Sequence, residues 1–295
     1  MLPDNVKGAL VLMAAAGFFS CMVAVIKLAG EHLPVTQILL LRQLGMAVIM
    51  LPLWLTRPVE SFRTNRFALL AGRLVLGSTA MVCGFTAFIQ LPLADATAIG
   101  FAKSFFVTIF AVIFLREIVG TYRWSAVVVG FIGVLIMLQP GAAGFSPYGL
   151  LAVIGAAAAG GVMVIIRYLS RTESVHVIMS YHVVGVALIM LVPAVLNWQS
   201  LTPYLWFLIA ILAVTAYLGQ RLNVVAYSLG EASLLASLDY IRLIYAVILG
   251  WLLFDQLPGS ATWLGASIIV AAAVFTVFRE ARKKQVPTRA PVDTA

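Results

Sequence analysis

Asp239 and Arg242 stand three residues apart in SLDYIRLIYAVILGWLLF, a run from Ser237 to Phe254 that is otherwise uncharged. That spacing puts both side chains on one helix face, where they can form an intrahelical ion pair. The same two charges can instead address a zwitterion, with Arg242 attracting a carboxylate and Asp239 balancing it or meeting an ammonium group. Both readings stay open from the residues alone.

Six basic residues lie within or at the ends of apolar runs: Lys27, Arg42, Arg73, Lys103, Arg221 and Arg242. Lys103 and Arg242 sit about nine or ten residues into theirs, where lipid exposure costs roughly 2.5–3.5 kcal/mol on insertion scales. They are expected to face protein or water. Lys27 stands at a helix end, and Arg42, Arg73 and Arg221 lie about two turns from an interface, within snorkelling reach. Thr97, Phe101, Ser104 and Thr108 recur every three or four residues and define a polar stripe. Lys103, about 100° from Ser104 around the helix, falls at its edge. Phe101 and Tyr240 read as packing residues or as contacts for an apolar or aromatic substrate side chain. His182 reads first as a hydrogen-bonded structural group.

The elements that carry these residues follow from composition. The 295 residues are 63% hydrophobic and 10% charged, with mean hydropathy +1.07, which assigns the chain to a membrane. A spanning helix needs roughly 20 apolar residues. Runs of that kind fall at about 7–28, 35–56, 66–89, 94–115, 123–139, 148–169, 175–196, 204–228, 232–254 and 261–278, so ten transmembrane helices are predicted. Lys and Arg concentrate in alternate links: Lys7; Arg57, Arg63 and Arg66; Arg116 and Arg123; Arg167 and Arg171; and the tail from Arg279. By the positive-inside rule these links and both termini are predicted cytoplasmic. The formal net charge of +8 therefore reads as topology, and no nucleic-acid partner is expected. Trp54, Trp124, Trp198, Trp206 and Trp263 lie near helix ends as interfacial anchors. The first apolar run is long, lacks a cleavage site, and is expected to be retained. Cys21 and Cys83 fall inside helices and are not expected to form a disulfide.

The two halves repeat. At a shift of 140 residues, RQLGMAVIML (Arg42–Leu51) lies beside HVVGVALIML (His182–Leu191); a shift of 138 pairs Ala94 with Ala232 and Glu117 with Asp255. Five helices per half is an odd number, so the second half enters the membrane in the opposite sense. Inverted repeats of this kind let two bundles rearrange around a central site, which favours transport. Small residues crowd the first helix of each half, as MAAAGFFSC and GAAAAGGVM, for close packing or to leave room for a cavity.

The stretches TAFIQLPLADATAIGFAKSFFVTIFAVIFLRE and VVAYSLGEASLLASLDYIRLIYAVILGWLLFDQ resemble the drug/metabolite transporter superfamily, with two EamA-type repeats, over about residues 8–278. The whole chain looks most like the YddG-type amino-acid exporters of the bacterial inner membrane. The resemblance implies a ten-helix basket around a central cavity and amino-acid efflux, aromatic ones among them. Many such repeats carry a proline after the Ala-rich turn; AKSFF and YIRLI do not, so no proline kink is transferred to these helices. Glu117 and Asp255, the terminal acidic residues of the two stretches, are read as helix-end or gating residues.

The expected architecture is an all-α integral membrane protein with a cytoplasmic N-terminus (1–6), two five-helix repeats (7–139 and 148–278) and a basic cytoplasmic tail (279–295). The expected substrate-binding set is Phe101, Lys103, Ser104, Asp239, Tyr240 and Arg242, with an amino acid or small zwitterion as cargo and lipid as surroundings. Asp239, Glu117 and Asp255 are the coupling or gating candidates. A proton-coupled export would load Asp239; held ionised by Arg242, it would suit facilitated diffusion. HExxH, GxSxG and GxxxxGK motifs are absent, and Asp239 and Asp255 lie roughly 24 Å apart along one helix, so neither enzyme chemistry nor a cofactor is expected. Two rivals remain: an organic-anion or phosphorylated-metabolite exchanger in which Lys103, Arg221 and Arg242 converge, and a membrane sensor or structural partner that moves nothing.

Overall fold

The computed structural model describes residues 4–115, 121–139, 146–169, 172–229 and 240–284. Its elements are α1 (Asp4–Gly30), α2 (Val35–Thr56), α3 (Pro58–Phe62), α4 (Phe67–Gln90), α5 (Leu93–Gly100), α6 (Lys103–Leu115), α7 (Thr121–Leu138), α8 (Pro147–Leu169), α9 (Val175–Leu196), α10 (Pro203–Leu229), α11 (Ile241–Phe254) and α12 (Ser260–Lys284). Local chemistry sets several of the boundaries. Ser174 caps α9, its hydroxyl accepting from the Val177 amide at 3.3 Å. α7 and α11 each stop where a residue turns left-handed, Gln139 at φ 45° and Asp255 at φ 52°.

Among the described residues, seven stretches are long and apolar enough to cross a membrane, and the parts of α7, α11 and α12 at Trp124–Leu138, Ile241–Phe254 and Ser260–Ala272 are apolar but shorter. Val48, Leu188 and Phe207 are 69%, 63% and 62% exposed, as expected where the surrounding solvent is hydrocarbon. One expectation needs correction. The predicted fourth helix is not continuous: it breaks at Phe101–Ala102, where amides bond three residues back, Phe101 to Ala98 and Ala102 to Ile99. α12 runs on to Lys284, so the basic tail begins as helix.

The halves interlock. α1 of the first half packs on α10 of the second, and α8 packs reciprocally on α4; α6 meets α8 as α11 meets α1; α2 pairs with α9 and α7 with α12. Exchanging the halves reproduces this contact pattern. α2 and α9, the pair matched at the 140-residue shift, run antiparallel: Gln37 at the start of α2 bonds Gln199 beyond the end of α9, while Trp54 near the end of α2 donates to Ser180 Oγ at 2.8 Å near the start of α9. Trp54 is thus a tie between halves rather than an interfacial anchor alone.

Gln37 is fully buried; its Nε2 donates to the Gln199 carbonyl at 2.8 Å and its Oε1 accepts the Gln199 amide at 3.0 Å. Gln37→Leu strands both backbone groups and is expected to cost about 1–3 kcal/mol. A lower unfolding midpoint in detergent checks this; an unchanged midpoint would show that water satisfies them.

Candidate functional site

α6 and α11 begin 138 residues apart, the offset that pairs Ala94 with Ala232. Phe101 and Tyr240, just before the two helix starts, have matching backbone angles (φ −66°, ψ −17° and φ −65°, ψ −13°). Their rings meet with centroids 4.8 Å apart at 65°, an edge-to-face pair joining the two halves. α8 reaches the break because Gly160 has no side chain: a Cβ there would lie 2.8 Å from Phe106 Cβ and 3.1 Å from the Lys103 carbonyl.

A first cavity of about 310 Å³ opens beside this pair. Its wall is largely apolar and small, with Gly84, Gly100, Ala152, Gly155, Ala156 and Ala159 making the space. Phe19, Phe88 and Phe101 add aromatic surface, and Lys103 and Arg242 bring positive charge. The Arg242 guanidinium lies over the Phe19 ring, 4.4 Å from its centroid, which holds its plane in place. A pocket of this size, apolar with a few convergent polar groups, suits a small metabolite.

A second cavity of about 300 Å³ is lined by Arg42, Arg73, Lys103, His182 and Gln220, with Met46, Met81, Met163 and Met179 among its apolar walls. Ala80, Lys103 and Ala159 line both cavities, so Lys103 stands at their junction. The break explains this placement. On an unbroken helix Lys103 would flank the polar stripe, whereas here it opens a new helix.

Of the predicted set, Phe101, Lys103 and Arg242 line the first cavity, and Tyr240 touches Phe101. Ser104 lines neither cavity; its hydroxyl donates to the Phe101 carbonyl at 2.9 Å, serving the break. Thr97 and Thr108 likewise donate to the backbone, to the Leu93 and Ser104 carbonyls, so the expected stripe is divided only by position: Thr97 and Phe101 line the first cavity, and Ser104 and Thr108 line neither. Asp255 is exposed at the end of α11, apart from both cavities. Asp239 and Glu117 lie outside the described residues.

The snorkelling expectation fails for three cations. Lys27 is 6% exposed, and its ammonium donates to the carbonyls of Phe88, Ile89 and Leu91 at the end of α4, with the Phe254 ring 5.4 Å away. It caps a helix. Arg73 is 6% exposed and Arg42 half-buried, and both line the second cavity. Arg221 is exposed and lines neither cavity, so it does not converge with Lys103 and Arg242.

Sequence reasoning therefore missed Arg42, Arg73 and His182 as cavity residues. The signal available was the alignment of Arg42 with His182 at one shift, which put two polar residues at equivalent points of paired helices. It also missed Asp95, whose carboxylate accepts from Thr262 at 2.7 Å and ties α5 to α12.

The EamA-like transporter family matches residues 6–139 and again 147–278. The pseudopaline exporter of Pseudomonas aeruginosa is 29% identical over 280 residues, 93% of this chain and 97% of its own length. The riboflavin transporter of Vibrio cholerae is 29% identical over 95% of each chain, and the S-adenosylmethionine uptake transporter of Rickettsia bellii is 28% identical over 86% of this chain and 87% of its own. A solved crystal structure superposes with TM-score 0.63 over 95% of this chain and 99% of the other at 17% identity, a likeness of fold alone. These relatives do not single out an amino-acid cargo. With two family matches spanning nearly all of the apolar helices, the chain belongs to the EamA-like transporter family and is a multi-pass membrane transporter.

Proposed function

We propose that this transporter exports amino acids, aromatic and other neutral ones among them, across the bacterial inner membrane by alternating access. Ten spanning helices act as two inverted five-helix repeats, with both termini cytoplasmic. The carrying observation is the first cavity: a guanidinium stacked on Phe19, beside the Phe101–Tyr240 ring pair, in an otherwise small and apolar wall. Arg242 binds the carboxylate. The apolar wall takes the side chain, and Asp239, three residues before Arg242, is assigned the ammonium. The interlocked halves and the antiparallel α2–α9 pair support the rocking of one repeat against the other.

Reconstituted vesicles test this with labelled phenylalanine and leucine. Wild-type flux is expected, and Arg242→Gln is expected to raise KM about tenfold through loss of one charge-assisted hydrogen bond. Phenylalanine flux with unchanged kinetics in Arg242→Gln and Asp239→Asn would reject the assignment. A pH gradient that leaves flux unaltered at fixed substrate gradients would eliminate proton coupling.

A second reading, an organic-anion or phosphorylated-metabolite exchanger, is favoured by Arg42, Arg73 and Lys103 lining one cavity. Exchange restricted to phosphorylated anions supports it over amino-acid export. The family assignment favours either form of transport over a non-transporting sensor or structural partner.

A further inference from the structure

Arg42 and Arg73 are placed at a cost. A buried charge loses several kcal/mol of hydration unless it is paired and hydrogen-bonded. A guanidinium carries five N–H donors. Among the described residues each of these two makes one hydrogen bond, Arg42 to Gln43 Oε1 at 2.8 Å and Arg73 to the Ile178 carbonyl at 3.4 Å. The Nε of both, and Nδ1 of His182, are buried without a hydrogen-bond partner among those residues. Among the described residues, none that lines the cavity is a carboxylate, and the positive field of both arginines falls on the His182 ring.

Purely structural arginines would be expected to meet carboxylates or several carbonyls, as the Lys27 ammonium does at the end of α4. Here the described residues fix the guanidinium groups and leave the Nε of each without a partner among themselves. Gln43, fully buried, accepts from Arg42 and donates to the His182 carbonyl at 3.3 Å, which fastens α2 to α9 at the cavity wall. Two positioned forks and an unsatisfied imidazole around about 300 Å³ make an anion site.

We propose that the second cavity is a distinct anion subsite, held by Arg42, Arg73 and His182, and that the preferred cargo carries two separated acidic groups. One is bound by Arg242 in the first cavity. The other, a carboxylate or a phosphate, is bound between Arg42 and Arg73, and Lys103 at the junction serves the connecting part of the molecule. This rests on the reading of the first cavity as a carboxylate site. It extends the cargo from neutral amino acids, which fill the first cavity alone, to acidic amino-acid conjugates or similar dianions, which fill both. It also explains why the second cavity collects positive charge that a neutral amino acid has no use for.

The test compares glutamyl-phenylalanine with glutaminyl-phenylalanine, which differ by one carboxylate, and with phosphoseryl-phenylalanine. Binding to the full-length protein in lipid nanodiscs is measured by calorimetry, with phenylalanine as control. Wild type is expected to bind the glutamyl or the phosphoseryl peptide at least tenfold tighter than the glutaminyl one, and the stronger of the two identifies the second group. Arg42→Gln and Arg73→Gln are expected to abolish that preference while phenylalanine affinity stays within about twofold. Should either variant fail to fold, Arg42→Lys and Arg73→Lys, which keep the charge and lose the planar fork, are expected to weaken the preference at least threefold. Equal wild-type affinity for all three peptides, failure to bind any of them, or a preference indifferent to both folded variants overturns the subsite. A retained, arginine-dependent preference with no phenylalanine binding overturns the amino-acid reading and leaves the subsite standing.

Discussion

Lys103→Gln is expected to lower substrate flux in reconstituted vesicles by about 100-fold. The residue lines both cavities, so its ammonium stands at the junction where the connecting part of the cargo lies. A buried charge-assisted hydrogen bond contributes roughly 1.5–3 kcal/mol. A loss of about 2.7 kcal/mol at that junction corresponds to two factors of ten. Lys103 also makes contacts within the protein. A purely structural lysine would leave a different signature: the variant would melt earlier, and flux per folded molecule would stay at the wild-type level. Flux normalised to folded protein, taken with the melting midpoint of the same preparation, separates the two, and wild-type flux per folded molecule would remove Lys103 from the transport path.

The second large effect concerns the seam between α7 and α12. A Cβ on Gly133 would lie 2.8 Å from the Gly265 carbonyl oxygen and 2.9 Å from Ile269 Cγ1. The nearest obstacle is backbone, which cannot rotate away as a side chain can. Gly133→Leu must therefore push the helices apart, with an expected loss of about 1–3 kcal/mol in unfolding free energy. Gly259→Ala is the control, since a Cβ there meets nothing within 4 Å. An unfolding midpoint lowered in Gly133→Leu and unchanged in Gly259→Ala is the expected pattern. Equal midpoints would mean that α7 and α12 pack less closely in the membrane than in this structure.

The apolar runs were legible because a helix in hydrocarbon must satisfy its backbone internally and cover itself with apolar side chains, a demand written into every residue of the run. The predicted bounds at 35–56 and 175–196 coincide with α2 and α9. The repeat was legible through spacing, since Ala94 and Ala232, or Arg42 and His182, keep their offset whatever the neighbours do. Even so, the break at Phe101–Ala102 went unread. Gly100 and the Ser104 hydroxyl were visible, but the proline that would ordinarily announce a kink is absent, and three-residue amide bonding there depends on α8 approaching at Gly160.

The deep cations mark the same divide most sharply. By itself, the sequence determined that this chain is a helical membrane protein built from two related halves, and it led to the expectation that Lys103 and Arg242 face protein or water. Only the tertiary structure decided that Lys27 caps α4, that Arg221 stays outside both cavities, and that Arg42 and Arg73 line one. The reason is geometric: periodicity tells which face of a helix a side chain occupies, whereas the neighbour that face meets is set by how the halves interlock.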